Sequence, residues 1–435
     1  MKNPSRLLLY PIILGTHLAS SLPASDSRAG KDRLPEDARP APSRQPEGET
    51  RAIWITRWDF KTEADVRQAV EWCALLGLNR IFFQVRGRAD AFYRSSLEPW
   101  GEEIGGADPG FDPLSTAIEE ARKRRVELHA WVNVMPAWKG TRLPRSPEHI
   151  LYQRPEWFLV DSRGKRHLTN PGDYTILNPC LPEVRAYIVE VLRDIATRYR
   201  VDGIQLDYMR FIGRDPERGV DYPYDPRTVA LFAKRSGGSP AHLPEEWNRW
   251  RGLAVDTLVY RIAEAARSAR PGIRISVASI EDPVRAQNGL FQDVSTWQSE
   301  GWIDDVYPMT YHADEAAFRR RAAQCIGLGA AGRVHPGIGL HLHRSGRETA
   351  RQIETARALG AKGWCLFAFA SLFPSPSHES SSTPEARRLR AELRSAVLEL
   401  TAGPGTTDAK ARAKPDMSAT LSPNARTARK RSPQD

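Results

Sequence analysis

Cysteine is scarce in this 435-residue chain: there are four, at 73, 180, 325 and 365. Fully paired, they would admit three connectivities. Cys73 and Cys325 fall in helical patterns and Cys365 in an apolar strand pattern, so buried thiols are expected there rather than a disulfide framework. Their spacing carries no zinc signature. Long hydrophobic runs are also missing. Mean hydropathy is −0.50, and no apolar stretch is long enough to span a bilayer, which excludes a polytopic membrane protein. No G-x-G-x-x-G follows the first strand pattern, so an open dinucleotide-binding sheet lacks its main support. His341 and His343 stand only two residues apart, the mark of a loop surface more than of a metal site. Neither a metal nor a cofactor is expected.

A concentrated charge is likewise lacking. The formal net charge is +10, from 63 Lys and Arg against 53 Asp and Glu, but it is spread unevenly. Residues 1–50 carry +1 and residues 402–435 carry +4, which leaves +5 on the long body between them. That is no nucleic-acid footprint, and no nucleic-acid partner is expected. The basic tail would make at most weak contact with an anionic surface. A hydrophobic content of 40% is enough for a sizeable core.

The two ends differ from the body. Lys2 and Arg6 precede the apolar run Leu7–Leu14, and Ala19 and Ser21 supply small residues at cleavage spacing, so residues 1–21 are expected to be an export signal. Residues 22–49, rich in Pro, Arg and acid, and the tail 402–435 are expected to be flexible. Residues 50–401 then form the folded domain.

Within that domain, short β-branched runs alternate with helical periods. The strands expected are Ala52–Thr56, Arg80–Arg86, Glu127–Val134, Asp202–Tyr208, Ile273–Ser279, Trp302–Met309, Arg333–Leu340 and Gly363–Phe369. The helices are Glu63–Leu76, Pro113–Arg124, Pro182–Tyr199, Pro244–Ala269, Glu315–Ile326 and Arg347–Leu359, with a weaker element over Phe291–Ser299 and a last one from Pro384 to about Leu400. Asp112-Pro113 and Thr383-Pro384 are helix starts, and Ser345 with Glu348 has capping-box spacing. Eight strands alternating with helices predict an α/β protein, a (β/α)8 TIM barrel with loop insertions.

In such a barrel the strand C-termini carry the chemistry. Period two puts Gln84 and Arg86 on one face of the second strand, His129, Trp131 and Asn133 on one face of the third, Gln205 and Asp207 on the fourth, and Asp305 and Tyr307 on the sixth with Tyr311 beyond. These polar faces are expected to point inward and converge on one mouth, because burying them without partners or a ligand is costly. Asp207, flanked by Tyr208 and Arg210, is the central carboxylate. Glu281 and Asp293, both after the fifth strand, are the candidates for a second carboxyl group facing it, with Asp305 third. Trp54, Trp131, Tyr208, Tyr307 and Tyr311 have flat faces that could stack on ligand rings, and Arg86 and Arg210 could bind a ligand carboxylate. The insertion Pro136–Leu181 adds Trp138, Tyr152, Trp157, Phe158 and Tyr174.

The segments Arg51–Thr56, Phe82–Arg86, Asp90–Tyr93, His129–Asn133, Leu177–Pro179, Val201–Arg210, Gln292-Asp293 and Tyr307–Tyr311 together resemble the glycosyl hydrolase-like family 10 proteins, in order and spacing. The resemblance implies an exported carbohydrate-active barrel acting on a bacterial cell-wall polysaccharide, a peptidoglycan-type glycan or another extracellular one. The Asp-Gly-Ile-Gln-Leu-Asp stretch is also similar to family 18 chitinases, but Met209 stands where that family has its catalytic Glu and Gln205 where it has its middle Asp, which argues against substrate-assisted catalysis. A glycoside hydrolase with Asp207 at its centre, positioning sugar with Arg86, Asn133 and Tyr307, is the reading; a glycan-binding barrel without catalysis is the alternative.

Overall fold

The computed structural model describes residues 48–211, 220–328, 333–375 and 383–402. The expected export signal and nearly all of the two flexible ends lie outside the described residues. Gly48 and Glu49, placed in the linker above, lie inside them: Glu49 receives Arg357 at 2.7 and 2.8 Å and the Trp364 indole at 3.1 Å, so it is tied to the body.

Strand and helix alternate along the chain as β1 (Thr50–Ile55), α1 (Glu63–Leu75), β2 (Arg80–Arg86), α2 (Pro113–Lys123), β3 (Glu127–Asn133), β4 (Pro136–Gly140), α3 (Ile150–Gln153), β5 (Asn170–Ile176), α4 (Pro182–Arg198) and β6 (Gly203–Asp207). There follow α5 (Pro226–Ser236), α6 (Pro244–Ala269), β7 (Arg274–Ser279), α7 (Pro283–Leu290), α8 (Val294–Ser299), β8 (Asp305–Pro308), α9 (Glu315–Leu328), β9 (Gly337–Gly339), α10 (Gly346–Ala358), β10 (Gly363–Phe367) and α11 (Pro384–Thr401). Eight strands form one parallel sheet in the order β8-β7-β6-β3-β2-β1-β10-β9. The ends meet where Val306 of β8 donates to the Arg333 carbonyl and His335 donates back to Val306, closing the ring. This is the (β/α)8 barrel that the alternation predicts.

Residues read above as one loop, Pro136–Leu181, contain the antiparallel pair β4–β5 and the short α3. The seventh barrel strand is shorter than its apolar pattern: only Gly337–Gly339 pairs in the sheet, with Val334 bridged separately to Val306. Asp112 and Thr383 cap their helices as their Pro neighbours suggest. Ser345 makes no side-chain cap, while Glu348 accepts from the Arg344 amide; the reciprocal capping box is found instead at Thr62 and Asp65. Asp202 opens the fourth barrel strand and accepts from the Leu128 amide, a structural pairing. All four cysteines are free and buried. Among the described residues, no helix is long and apolar enough to cross a membrane.

The barrel interior corrects the expectation of a single convergent polar mouth. Its middle is an aromatic core of Trp54, Phe82, Trp131 and Tyr307 with Ala52 and Cys365. Polar groups divide above and below that core. Below it, Arg80 is paired to Asp305 at 3.2 Å and Glu127 at 2.6 Å, and Arg274 to Asp305 at 2.6 Å. His129 belongs to this lower half, and Tyr307, in the core, turns its hydroxyl towards it. The Tyr307 hydroxyl accepts from Arg80 at 2.6 Å, and His129 packs over Gly203, where any side chain would collide with the imidazole. Neither residue reaches the mouth, which corrects their assignment to sugar binding.

Candidate functional site

Above the aromatic core, register brings the reactive groups together. Trp131 pairs with Gln205 and Asn133 with Asp207, so the last residues of β3 and β6 open side by side. Asp207 is 6% exposed. One carboxylate oxygen accepts from the Trp131 indole at 3.2 Å and the other from the Tyr208 amide at 2.7 Å. Burial raises its pKa above the ordinary carboxylate range, while the Arg210 charge and these two hydrogen bonds pull it back. The direction of that shift is the one a general acid needs.

Tyr208 leaves the strand with φ +52, a left-handed turn that swings its ring out of the sheet. Arg210 lies over that ring at 4.6 Å, and the Tyr174 ring of β5 meets its edge at 5.0 Å. The hairpin thus roofs the end of β6. Tyr174 also accepts from Arg57 at 3.3 Å across the mouth. Gln84 and Asn133 support that reach: Gln84 accepts from the Arg57 amide at 3.1 Å and donates to Asn133 at 3.4 Å, and Asn133 donates to the Gly87 carbonyl. On the opposite wall, Tyr311 stacks on Phe367 at 5.1 Å and turns its edge to Trp54 at 6.4 Å. Trp54 donates to Gln205 at 2.5 Å, and the Gln205 amide nitrogen is buried with no hydrogen-bond partner among the described residues.

The other expected site residues are engaged elsewhere. Arg86 is clamped by Glu98 at 2.8 Å and donates to the carbonyls of Asn133, Val134 and Pro136. Its guanidinium is buried and held by these groups, which makes it a bolt under the hairpin rather than the sugar ligand expected from sequence. Asp293 caps α8, accepting from Thr296 and from Gln287. Glu281 ends up 2.6 Å from His312. Asp305 is held in the lower ion network, well below its ordinary pKa: burial pushes it up, and His335, Arg80 and Arg274 overcome that. Two residues not singled out from sequence complete the rim. Asp173 precedes Tyr174, and its charge reaches the Tyr208 phenol; Arg57 anchors the opposite side. For Asp173 the signal was the insertion's aromatic content, which marks the roof but not which neighbours it carries; Arg57, just after β1, had none. Among the described residues, no three His, Cys, Asp or Glu side chains come together as a metal site.

A family model described as Glycosyl hydrolase-like 10 matches residues 49–331. This chain belongs to the Glycosyl hydrolase-like 10 family. It is 28% identical over 299 residues to the Bacillus subtilis glycosyl hydrolase YngK, the match covering 61% of this chain and 55% of the relative. Against the Escherichia coli glycosyl hydrolase DigH it is 26% identical over 310 residues, covering 62% and 67%. The chain therefore spans about half the length of the first of these relatives. In fold it is similar to the glycoside hydrolase domain of PgaB (BpsB) from Bordetella bronchiseptica, with a TM-score of 0.54, 14% identity and coverage of 79% of this chain and 99% of that one. It is also similar to alpha-L-fucosidase isoenzyme 2 from Paenibacillus thiaminolyticus, with a TM-score of 0.55, 17% identity and coverage of 80% and 49%.

Proposed function

We propose that this glycosyl hydrolase-like barrel is exported and hydrolyses a bacterial cell-wall or extracellular polysaccharide at the β3–β6 mouth. The observation that carries the reading is Asp207, a buried carboxyl group at a strand C-terminus, hydrogen-bonded by Trp131 and set beside the Tyr208–Tyr174 ring pair. Asp207 gives its proton to the glycosidic oxygen as the bond from that oxygen to the anomeric carbon breaks. A water oxygen bonds to the same carbon, and its proton passes to a second carboxylate. Asp173 is our assignment for that carboxylate, because it adjoins the tyrosine that packs on Tyr208, whereas Asp293 is a helix cap and Glu281 faces His312. Both carboxyl groups then exchange protons with solvent. Export rests on the basic start, apolar run and small residues of the first 21 positions.

The test is incubation of wild type, Asp207→Asn and Asp173→Asn with purified wall and capsular glycans, with products read by mass spectrometry. Wild type is expected to release oligosaccharides, and each variant to do so at least about a hundredfold more slowly. Full activity in Asp207→Asn would sink the acid assignment. The alternative, a barrel that binds glycan without cutting it, draws on one observation: both carboxylates expected from sequence to oppose Asp207 are engaged elsewhere. Glycan binding by wild type with no product from any glycan would favour it.

A further inference from the structure

The end of β1 carries a feature that the chemistry above does not use. Thr56 to Asp59 form a tight turn, closed by the Asp59 amide on the Thr56 carbonyl at 3.0 Å. The buried Asp59 carboxylate fixes it further, accepting from the Thr56 amide at 2.7 Å and the Thr56 hydroxyl at 2.8 Å. At the third position of this braced turn stands Trp58, 37% exposed. A large aromatic in solvent forgoes its burial energy, and here a rigid turn holds it there. The neighbouring Arg57, only 1% exposed, lays its guanidinium on the indole at 3.8 Å. That guanidinium is itself fixed by Glu103 at 3.1 Å and by Tyr174. One indole face is thus backed by a locked cation, while more than a third of the residue meets water.

Arg57 links this platform to the reactive mouth. Through its hydrogen bond to the Tyr174 hydroxyl it leads to Tyr208, whose ring meets Tyr174 edge-on, and so to Asp207, a chain of contacts from β1 to β6. From these contacts we infer that Trp58 is a distal sugar subsite, stacking a pyranose ring of a glycan chain whose reacting bond lies at Asp207. The apolar C–H face of a pyranose matches a flat, preorganised indole, and the ring hydroxyls at its edge stay in water. A second occupied subsite means that this mouth recognises a polymer segment rather than a terminal sugar. The inference rests on the glycan reading above.

The test uses the full chain and oligosaccharides of two and of six sugars prepared from purified bacterial wall glycan. Binding is measured by calorimetry in the Asp207→Asn background, so that nothing is consumed. The hexasaccharide should bind more tightly than the disaccharide, and Trp58→Ala should cut that advantage by about tenfold or more. Trp58→Phe should recover part of it, since a smaller ring can still stack. An unchanged melting temperature in both variants excludes misfolding as the cause. The indole N–H resonance assigned to Trp58 should shift with the hexasaccharide and not with the disaccharide. A hexasaccharide advantage that survives Trp58→Ala overturns the subsite while leaving hydrolysis untouched. Loss of the advantage, with no product from wild type, upholds the subsite and sinks hydrolysis. Failure of every oligosaccharide to bind overturns both.

Discussion

Arg210 tempers Asp207 at the mouth. Burial lifts the Asp207 pKa, and Arg210 supplies the opposing charge. If Asp207 is the acid, kcat/KM falls as the pH rises through that raised value and the carboxyl group loses its proton. Replacing Arg210 with Gln removes the charge that favours the carboxylate, so the alkaline limb should move to higher pH, by about half a unit or more. A limb that stays in place or moves down would separate the two residues. The same residue scale shows what the sequence could and could not disclose. Asp207, Trp131 and Tyr311 were legible from strand period and position, because a barrel puts strand C-termini at one mouth. Tyr307 and His129 share that inward face, yet they sit one level lower. Period two fixes which way a side chain points and says nothing about how far along the barrel axis it lies.

At the scale of elements, Arg86 joins three parts of the chain. Its pairing with Glu98 fastens the loop after β2, and its donation to three carbonyls fixes the crossing from β3 into β4. Tyr187 of α4 adds a hydrogen bond to Glu98 at 2.6 Å. Removing one partner of such a buried pair leaves an uncompensated charge, a cost of about 3–5 kcal/mol. Arg86→Ala should therefore lower the melting temperature sharply and loosen the hairpin, as read by faster amide exchange over β4 and β5. Normal stability with weakened glycan binding would return Arg86 to the role of sugar ligand. The elements themselves were readable where caps were strong. Asp225-Pro226 and Asp282-Pro283 start α5 and α7 with the same signal that marked Asp112-Pro113, so both helices were there to be read. The β4–β5 hairpin was not. Its strands are short, their register shifts twice, and no two-residue turn joins them, so neither period nor turn chemistry marks them.

Taken whole, the barrel has a reactive end and a structural end, and pH should act on them with opposite signs. The lower network holds carboxylates charged. Burial pushes Glu127 up, but His129 and Arg80 bring it down to about 2, and Asp305 is also depressed. His129 is lowered as well, by burial first and then by the Arg80 charge. Each of these groups has a folded pKa below its unfolded one, so each contributes stability above the unfolded value and loses it as the pH falls. For His129 that loss begins below about 6.5 and for the carboxylates below about 4.5. Asp207 runs the other way: its raised pKa favours the fold in acid, and that contribution fades as the pH rises. The melting temperature should accordingly decline in two stages between about pH 6.5 and pH 2, with the lower stage belonging to the base carboxylates. Glu127→Gln isolates that stage. Its carboxylate is one third exposed, at 33%, so solvent screening limits its share to about 1 kcal/mol at neutral pH. The variant should melt below wild type at pH 7, lose less between pH 4.5 and 2, and meet the wild-type curve near the bottom of that range. Parallel curves down to pH 2 would mean that the barrel base is not what acid attacks first.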